Sequence, residues 1–124
     1  MEDKEKVLQN LGKGWYSLIE NIYSIQQQLP FCSGVDSVKR KNGMLSVVFL
    51  RSDSTSDIEE FILDSLEYKI ERISAKLCEE CGKYGLRRKE LPIPQTLCTS
   101  CYAFKFSDLN PVPSLVANPE PQID

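Results

Sequence analysis

The chain has 124 residues, 41% hydrophobic and 27% charged, with a formal net charge of −3. This length can form one compact domain, or a small domain with a metal-stabilised module, but not two independent hydrophobic cores. The sequence pI of about 5.1 argues against a general nucleic-acid-binding protein, which normally has a basic domain. The longest apolar run covers only 47–50, so we expect no membrane partner.

The first ten residues, MEDKEKVLQN, are charged and have neither the apolar segment nor the small-residue cleavage site of a secretory signal. We therefore expect a cytoplasmic protein. Disulfides are rare in the reducing cytosol, where clustered cysteines instead indicate metal binding or catalysis. This expectation decides how the five cysteines of the chain are interpreted.

A first amphipathic helix is predicted over 14–29, GWYSLIENIYSIQQQL, because apolar residues recur there at helical spacing until Pro30 ends the pattern. Trp15 lies in phase with the apolar stripe, so we interpret it as a core anchor rather than an exposed binding residue. Cys32 follows the proline without a neighbouring base, which favours a thiol that fills space in a loop.

A β-hairpin is predicted over 35–50, VDSVKRKNGMLSVVFL, where two β-rich runs flank Asn42 and Gly43. This dipeptide suits a type I′ turn, because both central residues of that turn need positive φ. Lys39, Arg40 and Lys41 immediately precede the turn. The hairpin therefore has a basic tip.

A second, longer helix is predicted over about 20 residues, beginning near Ser56 and Glu59, which have the spacing of a capping box. Seven acidic residues against one lysine between 53 and 71 predict a strongly negative surface. The apolar residues expected to share one face of this helix are Ile58, Phe61, Ile62, Leu66, Ile70, Ile73 and Leu77.

Four cysteines form two C-x-x-C pairs, Cys78 with Cys81 and Cys98 with Cys101, separated by sixteen residues. This spacing is typical of a four-thiolate zinc site, since each pair directs two sulfurs from one tight turn toward one ion. We therefore predict one structural Zn²⁺. A dithiol redox centre and an iron–sulfur cluster stay open as alternatives, although the redox motif would be expected in a βαβ context.

The chain contains no histidine, and no catalytic motif or nucleophile with an identifiable base. We therefore predict a protein that is not an enzyme. Gly82 directly follows the first cysteine pair, where a glycine can take positive φ. In the second pair Thr99 and Ser100 lie between the cysteines and YAFKF follows, which is typical of the start of a short helix. The order predicted is a knuckle, a hairpin and then ligands at the start of a helix.

The predicted fold class is α+β, with an α-β-β-α unit over 1–77 that includes the antiparallel hairpin. A four-cysteine zinc-ribbon or treble-clef-like module over 78–106 is expected to be fused rigidly to it, because no glycine or proline linker precedes the first cysteine. Residues 107–124, with four prolines, predict a flexible tail.

Several segments resemble a group of small, largely uncharacterised bacterial and phage proteins. They are GWYSLIENI, the hairpin pattern V-x-x-V-K-x-K-N-G-x-L, LCEECGKYGLRR and the TLC that opens the last pair. The resemblance covers 12 to about 102 and implies an N-terminal α-β-β-α unit followed by a four-cysteine zinc module. It implies no biochemical role for any residue outside the four cysteines.

A second basic cluster, Arg87, Arg88 and Lys89, lies between the cysteine pairs. Guanidinium groups pair with phosphate or with an acidic protein surface, so this cluster and the basic hairpin tip are candidate partner-binding residues. The function favoured is that of a non-enzymatic zinc-stabilised adaptor that binds another protein. The alternative is a nucleic-acid-binding accessory or regulatory protein whose basic residues contact phosphates.

Overall fold

The computed structural model describes residues 3–106, and it confirms the mixed α+β class with an antiparallel hairpin and a C-terminal cysteine cluster. No helix among these residues is long and apolar enough to span a membrane. The helices are α1 (Lys4–Asn10), α2 (Tyr16–Gln28), α3 (Asp57–Ser74) and α4 (Thr99–Lys105), and a 3₁₀ turn (Lys13–Trp15) precedes α2. The strands are β1 (Cys32–Lys41), β2 (Met44–Arg51), β3 (Leu86–Arg88) and β4 (Gln95–Leu97).

Helix α1 was not predicted from the sequence. Seven residues form a helix that would be marginal in isolation, so its stability comes from packing. Val7 is buried in the main core, and Lys4 pairs with Glu20 of α2 at 2.9 Å. Asp3 caps the helix by accepting a hydrogen bond from the Lys6 N–H.

The β1–β2 hairpin turns at the predicted dipeptide. Asn42 has φ of 55° and Gly43 has φ of 82°, the two positive values that a type I′ turn requires. Register shifts near Gly34 and Ser37 interrupt the pairing toward the start of β1. The prediction of the hairpin is therefore confirmed, and its tip points away from that irregular end.

Helix α3 begins with the predicted capping box, in which Ser56 Oγ accepts from the Glu59 N–H and Glu59 accepts from the Ser56 N–H. The helix follows the edge of β2, where Ser74 Oγ accepts from the Leu45 N–H at 2.7 Å and a Glu67 carboxylate oxygen accepts from the Phe49 N–H at 2.8 Å. Side chains of α3 thus satisfy backbone donors that the two-stranded sheet leaves unpaired.

The predicted apolar face of α3 is wrong in part. Leu63 and Ile70 are buried in the core, and Leu66 and Leu77 pack against it. The remaining members of the predicted face are exposed to solvent, namely Ile58, Phe61, Ile62 and Ile73. The reason is that α3 lies along a strand edge, so backbone-binding polar side chains occupy part of the surface that a purely apolar stripe would use.

The C-terminal part of the described chain has its own small core. Leu97 is fully buried together with Cys78 and Cys98, whereas the main core is built from the helices and the β1–β2 hairpin. The predicted tail over 107–124 lies outside the described residues.

Candidate metal centre

The first cysteine pair lies in a tight turn, residues 78–82, which we call the knuckle. The Cys78 N–H donates to the Lys83 carbonyl at 2.7 Å, and the Gly82 N–H donates to the Cys78 carbonyl at 2.8 Å. Gly82 has φ of 84°, the left-handed conformation that glycine adopts at least cost. The expectation of a glycine with positive φ directly after the first pair is therefore confirmed.

The second cysteine pair lies at the start of α4, as the sequence predicted. Cys98 is the N-cap, and its sulfur accepts from the Cys101 N–H at 3.4 Å. The strands β3 and β4 pair antiparallel between the knuckle and this helix. They bring together two cysteine pairs that are sixteen residues apart in the sequence.

The four sulfurs form one compact group. The Sγ atoms of Cys78, Cys81, Cys98 and Cys101 all lie within 4.8 Å of one another, and those of Cys81 and Cys98 are 3.7 Å apart. A tetrahedral site with zinc–sulfur bonds of about 2.3 Å would place its sulfurs about 3.8 Å apart. The donor set and its dimensions therefore fit a single tetrahedral metal ion.

The thiols differ in their pKa values in the absence of metal. Burial acts to raise the pKa of Cys78, but backbone N–H groups at Cys98, Cys81 and Glu80 outweigh it, and the pKa lies below its ordinary value. Burial raises the pKa of Cys81 and of Cys101, where the neighbouring sulfurs add to the effect at Cys101. The surrounding backbone thus favours the thiolate of Cys78, whereas a cation would be needed to favour the thiolates of Cys81 and Cys101.

A buried ion pair joins this centre to the hairpin. Glu79, between the first two cysteines, is fully buried, and its Oε1 accepts from Arg40 Nε at 3.0 Å and Nη2 at 2.6 Å. Its Oε2 accepts from the Thr96 N–H at 3.1 Å. The carboxylate therefore links β1, the knuckle and β4 in one hydrogen-bonded group.

Backbone contacts join the centre to the segment before α2. The Gly14 N–H donates to the Glu79 carbonyl at 2.9 Å, and Trp15 Nε1 donates to the Leu77 carbonyl at 3.1 Å. A Cβ atom at Gly12 or Gly14 would overlap with carbonyl oxygens of the knuckle. These two glycines allow the close packing against the knuckle, and the sequence analysis missed them because the only available signal was the G-K-G-W spacing itself.

The hairpin tip contacts the small β3–β4 sheet. Thr96 Oγ1 donates to the Gly43 carbonyl at 2.6 Å, and Arg87 Nε donates to the Asn42 carbonyl at 3.0 Å. Together with the glycine contacts and the Glu79–Arg40 ion pair, these bonds form what we call the seam between the hairpin unit and the cysteine module. Polar and backbone contacts thus join the hairpin unit to the cysteine module in addition to the chain itself.

The seam also brings the two predicted basic clusters together, although they are more than forty residues apart in sequence. Lys39, Lys41 and Lys89 are exposed. Arg40 is engaged with Glu79, and the guanidinium of Arg88 lies 4.5 Å from the centroid of the Tyr102 ring. The candidate partner-binding residues therefore fall into an outward group of lysines and a group of arginines that also support the fold.

The fifth cysteine, Cys32, is separate from the cluster. Its thiol is buried in the main core and donates to the Gly34 carbonyl at 3.3 Å. Burial raises the pKa of this thiol. Cys32 is thus a small apolar side chain of β1, and the predicted loop position is wrong because the strand begins at Cys32 itself.

No protein family, curated protein or solved structure matches this chain. The functional interpretation therefore depends on the chemistry and geometry of the described residues, above all on the four-cysteine cluster.

Proposed function

We propose that the chain is a non-enzymatic, zinc-stabilised binding protein with one structural Zn²⁺ held by Cys78, Cys81, Cys98 and Cys101. The observation that carries this proposal is the group of four sulfurs within 4.8 Å, at the dimensions of a tetrahedral thiolate site. A knuckle, a two-stranded hairpin and ligands at a helix start support a treble-clef-like arrangement more than a ribbon with two knuckles. We also propose that the chain is related to the bacterial and phage proteins that it resembles and that it is located in a reducing cytoplasm.

A structural role fits the site better than a catalytic one. Catalytic zinc sites usually have three protein ligands and an open position, often with histidine, whereas four thiolates complete a tetrahedron. The sulfurs lie at the end of one antiparallel β3–β4 hairpin, which is not the βαβ context of a thioredoxin-like dithiol. Four thiolates and one Zn²⁺ would change the formal charge from −3 to about −5.

Metal analysis tests the first part of the proposal. Protein purified under reducing conditions should contain about one zinc per chain and no iron. Iron in place of zinc would favour the cluster alternative, and no metal at all would contradict the metal site.

We propose further that the basic surface made by the two clusters binds an acidic face of another protein. Its supporting observations are that Arg87 Nε donates to the Asn42 carbonyl, so that the two basic clusters adjoin at the seam, and that Lys39, Lys41 and Lys89 are exposed. The Glu79–Arg40 pair and the zinc site would hold this surface rigid, and rigid presentation lowers the entropic cost of binding.

The same surface supports a second candidate function, that of a nucleic-acid accessory protein whose lysines contact phosphates. The acidic pI of about 5.1 favours the protein partner, because a basic domain is the usual electrostatic signature of nucleic-acid binding. The salt dependence of binding distinguishes the protein-binding function from the nucleic-acid-binding function. Each phosphate contact contributes nearly one unit to the slope of log affinity against log salt concentration.

A charge-reversal variant tests the surface without disturbing the seam. Replacing Lys39, Lys41 and Lys89 by Glu leaves Arg40, Arg87 and Arg88 in place, so zinc content and folding should be preserved. A matched control replaces three other exposed lysines by Glu and has the same net charge. The control positions are Lys6, Lys13 and Lys76.

The partner should be captured by the tagged wild-type chain and by the control, but not by the charge-reversal variant, and nuclease should leave the capture unchanged. Loss of capture after nuclease treatment would favour the nucleic-acid function. Equal capture by all three chains would contradict a role for the basic surface.

A further inference from the structure

Helix α3 carries an exposed apolar face that the fold does not use. Ile58 is 69% exposed, Phe61 68%, Ile62 37% and Ile73 43%. These residues and Ser65 recur at intervals of three, four and eight along the helix, so they lie on one side of it, away from the buried Leu63 and Ile70. Adjacent exposed apolar side chains of this kind can mark an interaction surface.

The charges along α3 indicate what covers this face. The first turn is acidic, with Asp57, Glu59 and Glu60, and the last turn carries Arg72. Lys69 and Arg72 lie on the same side of the helix as the apolar residues, toward its C-terminal end. The face is therefore apolar at its N-terminal end, with Asp57 beside it, and mixed at its C-terminal end, where Ile73 lies beside Lys69 and Arg72.

A second copy of the same helix, running antiparallel, complements this pattern. With a two-fold axis at Ser65, near the midpoint of Asp57–Ser74, residue 58 of one copy is opposite residue 72 of the second, so Asp57 and Ile58 of one copy would lie beside Arg72 and Ile73 of the other. At each end the exposed Asp57 of one helix would meet Arg72 of the other, whereas Glu59 and Glu60 are already engaged with the Ser56 N–H and with Arg51. A parallel arrangement would instead oppose like charges at both ends.

We propose that the protein forms a two-fold homodimer through antiparallel packing of the exposed faces of α3. The small side chain of Ser65 allows the two helices to approach closely at the axis, and Phe61 of one copy reaches Lys69 and Arg72 of the other, where a cation–π contact forms. This proposal concerns a surface separate from the zinc site and does not depend on the proposed function.

The size of the face sets the expected affinity. The helix is about 27 Å long, and its face together with that of a second copy would bury on the order of 1,000 Å² in total, near the lower limit for specific interfaces. We therefore expect a dissociation constant of about 1–100 µM. Sedimentation of the full-length, zinc-loaded chain from about 1 to 300 µM should show a monomer–dimer equilibrium.

Two isoleucines of similar exposure provide a matched test of the apolar face. Ile58 on α3 is 69% exposed and Ile93, in the β3–β4 loop, is 66% exposed. Ile58→Lys should weaken dimerisation by at least about tenfold because it places a charge in the apolar contact, whereas Ile93→Lys should leave it unchanged. Zinc content and the unfolding midpoint, measured on both variants, report whether the fold is intact.

A charge exchange tests the antiparallel orientation. Asp57→Lys and Arg72→Glu should each weaken the dimer by about fivefold, because each replaces an attraction by a repulsion at both ends. The double variant Asp57→Lys/Arg72→Glu exchanges the signs and should recover the wild-type dissociation constant to within about threefold. Recovery is expected only where residue 57 of one copy meets residue 72 of the other.

A wild-type chain that stays monomeric up to about 300 µM would overturn the proposal. The proposal would also be overturned if Ile58→Lys and Ile93→Lys changed the dissociation constant of the dimer equally. If a chain ending at 106 dimerised while the full-length chain did not, the face would be covered by residues 107–124 instead of a second copy. If the double variant Asp57→Lys/Arg72→Glu dimerised more weakly than either single variant, the antiparallel arrangement would be overturned.

Discussion

Truncation of Arg40 should destabilise the protein strongly, although its side chain lies at the surface of the hairpin. Arg40→Ala removes both donors to Oε1 of the fully buried Glu79. The carboxylate would keep only the Thr96 N–H on its other oxygen. A buried charge that loses its partner retains the cost of desolvation without the compensating attraction.

The structure sets the magnitude of this loss. Removing one partner of a buried ion pair costs about 3–5 kcal/mol of unfolding free energy. The Arg40 side chain is 36% exposed, so water can replace it beside Glu79, and the loss should lie at the lower end, about 3 kcal/mol. With a urea m-value of about 1.5–2 kcal/mol/M, the unfolding midpoint should fall by about 1.5–2 M.

The fluorescence of Trp15 provides the assay, because this is the single tryptophan of the chain and its indole N–H donates to the Leu77 carbonyl at the seam. Urea unfolding of the zinc-loaded protein therefore reports the contact that the variant weakens. Lys39→Ala is the matched control, since Lys39 precedes Arg40 in β1 and is exposed. The free energy of unfolding of Lys39→Ala should differ from that of the wild type by less than about 0.5 kcal/mol.

A double variant separates the cost of the unpaired buried charge from the cost of lost packing. Arg40→Ala/Glu79→Gln replaces the buried carboxylate by a neutral amide that can still accept from the Thr96 N–H. The double variant should be more stable than Arg40→Ala by about 1 kcal/mol or more. An Arg40→Ala midpoint equal to that of Lys39→Ala, or a double variant less stable than Arg40→Ala, would refute the reasoning.

Three further predictions concern the metal centre and its surroundings. Cys101→Ser, or removal of zinc by a chelator, should abolish amide protection across 78–106 but leave the β1–β2 hairpin protected, because the binding free energy at a structural zinc is also folding free energy. Equal amide protection with and without zinc would contradict this prediction. Gly14→Ala should lower the free energy of unfolding by at least about 2 kcal/mol, because a Cβ would overlap with the Cys78 carbonyl. The control is Ser33→Ala at an exposed position of β1, for which urea unfolding should show a smaller loss. Cys32 should resist a thiol reagent at pH 7 in the native protein and react after denaturation, because burial raises its pKa and so lowers its thiolate fraction; rapid native labelling at Cys32 would contradict the buried position.

Several features were determined by short stretches of sequence alone. The type I′ turn follows from Asn42 and Gly43, and the start of α3 follows from Ser56 and Glu59, because in each case the atoms that interact belong to residues at most three positions apart. The metal cluster was predicted for a similar reason, since each C-x-x-C pair needs only one turn to direct its two sulfurs.

The tertiary structure decided which surfaces these elements present to one another. Nothing near Arg40 in the sequence indicates that it pairs with Glu79, thirty-nine residues away, or that Gly14 must lack a side chain to lie against the knuckle. The apolar stripe of α3 likewise could not be assigned to core or surface, because Ile58 and Ile70 are equally hydrophobic and only packing against β2 separates them. Local chemistry determines the elements, whereas the contacts between distant elements depend on the packing of the whole chain, and no single stretch of sequence contains that information.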